Sequence, residues 1–103
     1  MTLIKKLSEM IEDELEGAEH YAKCAIKYKE EHPTLAKTLY DISTDEMRHV
    51  GLLHGEIVAL IETYRKEHGE PPTAMKAVYD YLHEKQIEEA AAVKTLQDMY
   101  KGT

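Results

Sequence analysis

The sequence has no tryptophan or phenylalanine, one cysteine, three prolines and five glycines among its 103 residues. The single cysteine, Cys24, excludes an internal disulfide framework and every zinc site built from several cysteines. No apolar run approaches the ~18 residues that a membrane span requires. The first residues, Met1 to Lys6, lack the long apolar core of a signal peptide. We therefore expect a soluble, cytoplasmic protein with no membrane partner.

Positive charge is also scarce, because 20 Asp and Glu residues outnumber 13 Lys and Arg residues and leave a net charge of −7. Nucleic acids and anionic membranes are bound by basic patches, so neither is an expected partner. The chain length fits a single domain over residues 1–103.

The helix-breaking residues cluster at two places, around Pro33 and in the stretch 69–72. Proline inside a helix loses a hydrogen bond and glycine commonly ends one, so these points divide the chain into three segments. The segments are rich in Ala, Leu, Glu, Lys and Met, which favour helix. An all-α fold is therefore predicted, with a long antiparallel hairpin and a third helix. The helices are expected at about 2–31, 34–68 and 73–100.

Each arm of the hairpin carries an apolar line at alternating spacings of three and four, the stripe that a helix turns toward a bundle core. In the first helix the line is Ile4, Leu7, Ile11, Glu14, Ala18, Tyr21, Ala25 and Tyr28. In the second helix it is Leu35, Leu39, Ile42, Glu46, His49, Leu53, Glu56 and Leu60. A neighbouring stripe continues the apolar face as the helical period drifts off the heptad: Val50, Ile57, Ile61 and Tyr64.

Four of these expected core positions are acidic or basic, and one of them, Glu56, lies about two turns beyond His49 toward the end of the second helix. The other three are Glu14 in the first helix, and Glu46 and His49 in the second. Counted from the turn at Pro33 they lie at similar heights, so the hairpin can bring them to one interior point. An uncompensated carboxylate is costly to bury, whereas two carboxylates with an imidazole suit iron, manganese or zinc. The pattern predicts a metal site at these three residues.

One hairpin supplies only half of the ligands of a two-metal site, and the third helix offers only alanines 90–92 and Val93 at this height. A two-fold homodimer supplies the other half, because an isologous interface brings the same patch from both subunits. Four carboxylates then balance the charge of two divalent cations.

The third helix has an apolar stripe of its own, formed by Met75, Val78, Leu82, Leu96 and Met99. This stripe covers either the hairpin of its own chain or that of the partner.

The segments Asp13 to Tyr21 and Asp45 to His49 together resemble the first half of a ferritin-like di-iron carboxylate protein. Bacterioferritins and rubrerythrins have a glutamate with a tyrosine seven residues later, as Glu14 and Tyr21 stand here, and a Glu-x-x-His motif further on. The resemblance covers about residues 7–64. The second pair of helices is missing, and in that respect the chain is similar to the encapsulated ferritins, whose short chains pair to form the iron site between subunits.

The resemblance implies a homodimeric four-helix bundle, or a larger assembly of such dimers, around a di-iron centre. It implies that Glu14 and Glu46 are iron ligands, with Glu46 bridging, and that His49 is a terminal ligand. Tyr21 would hydrogen-bond a ligand carboxylate, and the pair Gly17 and Ala18 would leave room near the metal. The implied activity is oxidation of Fe(II) to Fe(III) by dioxygen or peroxide.

Two other interpretations remain open. The three ionisable residues can form a hydrated polar layer that sets helix register in a non-catalytic interaction module with at most a structural metal. Alternatively, the chain can be a rubrerythrin-like peroxide scavenger that depends on an external electron donor, since it has no rubredoxin-type cysteine pairs.

Overall fold

The computed structural model describes residues 2–102, and no strand occurs within them, which confirms the all-α prediction. Within the same residues, no helix combines the length and the apolar character that crossing a bilayer would require. The chain forms three helices, α1 (Thr2–Tyr28), α2 (Pro33–His68) and α3 (Thr73–Lys101).

The helix boundaries agree with the sequence except at the end of α1. We expected α1 to continue to about residue 31, but it ends at Tyr28 and residues 29–31 form a turn. His32 precedes a proline, which disfavours helical geometry, and it has φ −137° and ψ 67°. At the other end of α2, Gly69 adopts φ 78° and donates its N–H to the carbonyl of Arg65, as expected for a glycine that ends a helix.

α1 and α2 form the expected antiparallel hairpin, and α3 packs on the hairpin of its own chain. Gln86 of α3 donates a hydrogen bond to Ser8 Oγ near the start of α1. Lys29, just after α1, donates to the carbonyl of Tyr100 near the end of α3. α3 therefore runs parallel to α1, and the molecule is a rod of 56 × 20 × 17 Å.

Half of the line expected in α1 is buried as predicted, namely Ile4, Ile11, Ala18 and Ala25, and the other half is replaced by residues to one side of it. Leu7, Glu14, Tyr21 and Tyr28 are only partly buried. α1 lies between α2 and α3, so its buried line turns toward the groove between them. The fully or nearly fully buried residues of α1 are Ile4, Ser8, Ile11, Leu15, Ala18, Ala22 and Ala25.

The expected core lines of α2 and α3 are displaced in the same way. In α2, Leu35 is 47% exposed, whereas Ile57 of the neighbouring stripe is 2% exposed. In α3, Val78 and Met99 are exposed, and the buried residues are Gln86 and Val93. These differences share one cause: the third helix covers one side of the hairpin and leaves the other side open.

Polar contacts hold the three helices at a defined register. Ser43 of α2 is completely buried. Its hydroxyl donates to the carbonyl of Ala18 in α1 at 2.7 Å and accepts from the amide of Gln97 in α3 at 3.0 Å. This one side chain joins all three helices.

We predict that Ser43→Ala lowers the free energy of unfolding by about 1–2 kcal/mol, because the amide of Gln97 loses its buried acceptor. Urea denaturation followed by circular dichroism measures the change. Thr38→Ala is the matched control, since the exposed Thr38 hydroxyl bonds only to a carbonyl of its own helix. Equal stability of the two variants would contradict a role for Ser43 in joining the helices.

Candidate metal centre

Glu14 of α1 meets Glu46 and His49 of α2 near the middle of α1. One ligand atom from each residue lies within 4.8 Å of the other two, and His49 Nδ1 is 3.2 Å from Glu14 Oε2. Two donors held at about 2.0–2.2 Å from one ion are at most about 4.4 Å apart, so small side-chain movements close this group around a cation. The expected convergence of the three residues is confirmed, and their role as metal ligands stays a prediction.

The carboxylate of Glu46 lies directly over Gly17 on α1. A Cβ atom at position 17 would be 3.0 Å from Glu46 Oε2 and 3.1 Å from Glu46 Cδ, closer than a Cβ normally comes to another atom. The missing side chain makes a recess in the surface of α1, and Glu46 occupies it. The space expected at Gly17 is therefore occupied by the carboxylate of Glu46, a candidate ligand.

Without a cation, a hydrogen bond between the carboxyl groups of Glu14 and Glu46 needs a proton on one of them. The hydrogen bond that protonated Glu46 donates to Glu14, helped by burial and by the negative charge of Glu14, raises the pKa of Glu46 to about 7. The same hydrogen bond, together with the hydrogen bond and charge of His49, lowers the pKa of Glu14 against the opposing effect of burial. Two adjacent carboxylates ionise together only when a positive charge compensates them, and a divalent cation supplies that charge.

The three residues lie on a face of the hairpin that the rest of the chain leaves half open. The side chain of Glu14 is 29% exposed and that of His49 is 44% exposed. α3 lies on the other side of α1, where Ala90 packs against the core that includes Ile11. The open face continues along the hairpin as a strip of partly buried residues: Leu7, Tyr21, Tyr28, Leu39, Ile42, Leu53 and Leu60.

The donor set suits a borderline or hard divalent cation. Two carboxylates and one imidazole, with no thiolate, are ligands of iron, manganese and zinc. One chain supplies three side chains, so part of the coordination shell is left for water, substrate or a second set of ligands. The shared proton, the recess at Gly17 and the spacing of the donors all fit a bound cation.

Tyr21 follows Glu14 by about two turns of α1 and does not make the contact implied by the resemblance. Its ring meets the ring of His20 edge-on, with centroids 5.7 Å apart. No hydrogen bond joins its hydroxyl to a carboxylate within residues 2–102. A direct contact with a ligand carboxylate stays a prediction for the metal-bound protein.

A second carboxylate pair, which the sequence analysis did not identify, lies on the opposite side of α1. Burial, with a hydrogen bond and repulsion from Glu12, raises the pKa of Glu89 on α3 to about 7. Among residues 2–102 no hydrogen-bond donor meets the buried Glu12 Oε1, and protonated Glu89 would supply one. Residues 12 and 14 point in nearly opposite directions on a helix, so this pair is separate from the candidate metal centre.

No family model, curated protein or solved structure matches this chain.

We predict that Gly17→Ala lowers metal affinity by roughly tenfold or more, because the new methyl group displaces Glu46 from its recess. The fold should not be weakened, since alanine is favoured over glycine in a helix by about 1 kcal/mol. Isothermal titration with Fe(II) or Mn(II) and a melting curve measure the two effects. In the control Gly55→Ala, the new Cβ meets no atom within 4 Å. Equal affinity of the two variants would contradict the role of the recess.

We predict that Glu89→Gln makes the metal-free protein more stable than wild type by about 1 kcal/mol at pH 8, and that this difference disappears near pH 5. A carboxyl group with a raised pKa stabilises the fold only while protonated, so its contribution is lost as the pH rises toward and above 7. The magnitude is modest because the Glu89 side chain is still 30% exposed. Urea unfolding at both pH values measures it, with the exposed Glu88→Gln as control. A difference that does not change with pH would contradict this assignment.

Proposed function

We propose that this protein is a ferritin-like homodimer that binds two iron ions between its subunits and oxidises Fe(II) to Fe(III). The observation that carries the proposal is the convergence of Glu14, Glu46 and His49 on the half-open face of the hairpin. A site shared between subunits needs ligands at a surface that a second copy can cover, and these three residues lie at such a surface.

The open face has the composition of an interface between identical hairpins. The partly buried residues around the site are leucine, isoleucine and tyrosine, and these are the side chains that a bundle encloses. Two such faces related by a two-fold axis form a four-helix bundle and place the two sets of ligands opposite each other. Four carboxylates then neutralise two divalent cations, which a water-poor interior tolerates.

In this proposal Glu14, Glu46 and His49 would hold the iron ions, and Glu46 would be the carboxylate shared between them. The recess at Gly17 holds Glu46 close to α1, so its carboxylate is positioned before iron arrives. Each pair of Fe(II) ions gives up two electrons, and one dioxygen takes them up with two protons to become hydrogen peroxide. The protein holds the two ions together so that both electrons pass to one oxidant molecule.

One observation favours a second candidate, a non-catalytic interaction module. The two carboxyl groups and His49 already form a hydrogen-bonded cluster without a cation. Such a cluster can set the register of two paired hairpins with at most a structural metal. The rubrerythrin-like peroxide scavenger uses the same ligands and differs in its preferred oxidant.

Anaerobic titration with Fe(II), combined with the mass of the protein in solution, tests the proposal. We predict one iron per chain, a dimer or a multiple of dimers, and loss of the Fe(II) signal when dioxygen is added. Glu46→Ala and His49→Ala should each lower iron affinity by at least roughly tenfold, because each removes one of three ligands. Faster oxidation by peroxide than by dioxygen would favour the scavenger.

Matched controls lie on the same helix. Glu62 and His68 are exposed residues of α2 outside the candidate centre, so Glu62→Ala and His68→Ala should bind and oxidise iron as wild type does. A monomer that binds no iron would contradict the proposal. A dimer that binds metal at these residues without oxidising it would favour the interaction module.

A further inference from the structure

Two histidines on different helices face each other on the opposite side of α2 from the carboxylates. His54 of α2 and His83 of α3 have their Nε2 atoms 3.0 Å apart, and both side chains are partly buried. His54 follows His49 by five residues, which places it about 140° further around the helix. The pair is therefore separate from the candidate metal centre, and neither residue belongs to the motifs described above.

Ring contacts orient the two imidazoles, and one of them comes from a neighbouring tyrosine. The ring of His83 stacks on that of His54 at a centroid distance of 4.9 Å and an interplanar angle of 15°. Its ring also stacks on that of Tyr79, at 5.7 Å and 13°. Two partly buried rings held in this way lose little conformational freedom when their nitrogens bind a common partner.

A cavity of about 330 Å³ opens beside the pair. Its wall is mostly apolar, with Met47, Val50 and Ile87 among the lining residues, and Gln86 adds a polar side chain to those of the two histidines. A water molecule occupies about 30 Å³ in the liquid, so the cavity has room for several water molecules next to the two nitrogens.

The distance between the two nitrogens is close to the distance that separates two imidazole nitrogens bound to one metal ion. Zinc binds imidazole at about 2.0–2.1 Å, and a tetrahedral angle then separates two nitrogens by about 3.3 Å. The two Nε2 atoms are now 3.0 Å apart, so they must move apart by about 0.3 Å, and the rings must rotate, for both to bind one ion. One of the two rings now carries a proton on Nε2 and donates it to Nε2 of the other ring. When both Nε2 atoms bind the metal, this proton moves to Nδ1 of its own ring, so metal binding releases no proton.

We propose that His54 and His83 form a second metal site, which takes a divalent transition metal of the zinc, nickel or copper class through the two Nε2 atoms. Water in the adjoining cavity completes the coordination shell. Two neutral imidazoles without a carboxylate select such ions over magnesium or calcium. The bound ion links α2 to α3, two helices that otherwise touch only sparsely.

Titration of the whole protein with Zn²⁺, followed by isothermal calorimetry, tests this site. We use the variant Glu46→Ala, which weakens the carboxylate centre by removing one of its three ligands, and compare it with the double variants that add His83→Gln or His54→Gln. The expected result is one zinc per chain in Glu46→Ala, and an affinity lower by at least roughly tenfold in both double variants. Adding His68→Gln instead, at an exposed histidine near the end of α2, should leave zinc binding unchanged.

Equal zinc binding in all four proteins, or no binding in any, would overturn the proposal. Neither result bears on iron oxidation, because every protein in this comparison already lacks Glu46. Conversely, a wild-type protein that fails to oxidise iron can still bind zinc at the histidine pair.

Two further measurements keep the test independent of folding defects in the variants. Saturating Zn²⁺ should raise the melting temperature of Glu46→Ala by roughly 5 °C or more, as expected for a ligand present well above its dissociation constant. In NMR spectra the ring resonances of His54 and His83 should shift together on zinc addition, while those of His68 stay in place. Shifts at His68 alone would identify binding to a surface histidine and overturn the proposed site.

Discussion

The fold depends on the burial of one side of α1 between two other helices. The line of buried residues on α1 includes Ala18, Ala22 and Ala25, all completely excluded from solvent. Small side chains allow close approach of neighbouring backbones. Because α2 and α3 both pack against this line, they leave one face of the hairpin uncovered, and every candidate ligand of the metal centre lies on that face.

This asymmetry gives the carboxylate cluster its chemical character. A fully buried Glu14–Glu46 pair would need a permanent counter-charge, and a fully exposed pair would ionise as ordinary surface residues do. The cluster is half exposed and therefore lies between these limits. Without a cation the pKa of Glu46 is raised, and with a cation both carboxyl groups can bind it as carboxylates. The recess at Gly17 adds a steric requirement, because only a residue without Cβ lets Glu46 lie against α1.

α2 presents different chemistry on its two sides. One side carries the carboxylates and His49, which suit iron, and the other carries His54, which meets His83 of α3. The first group faces the region that a second subunit can cover, whereas the second lies within one chain. A single long helix can thus serve an interface between subunits and a contact within the chain, because its 3.6-residue period separates residues five apart by about 140°.

The sequence by itself determined the three helices, the antiparallel hairpin and the meeting of Glu14, Glu46 and His49. Helix propensity, proline positions and the constant rise per residue are local properties, and they fix heights along a hairpin without knowledge of its neighbours. Only the tertiary structure decided which flank of each apolar line is buried, because that depends on where α3 packs. The contacts of Ser43 with Gln97, Glu12 with Glu89 and His54 with His83 all involve α3, whose apolar stripe is compatible with either its own hairpin or a partner's. These residues are far apart in sequence and become neighbours only when α3 packs on the hairpin of its own chain, and no local sequence pattern encodes that packing.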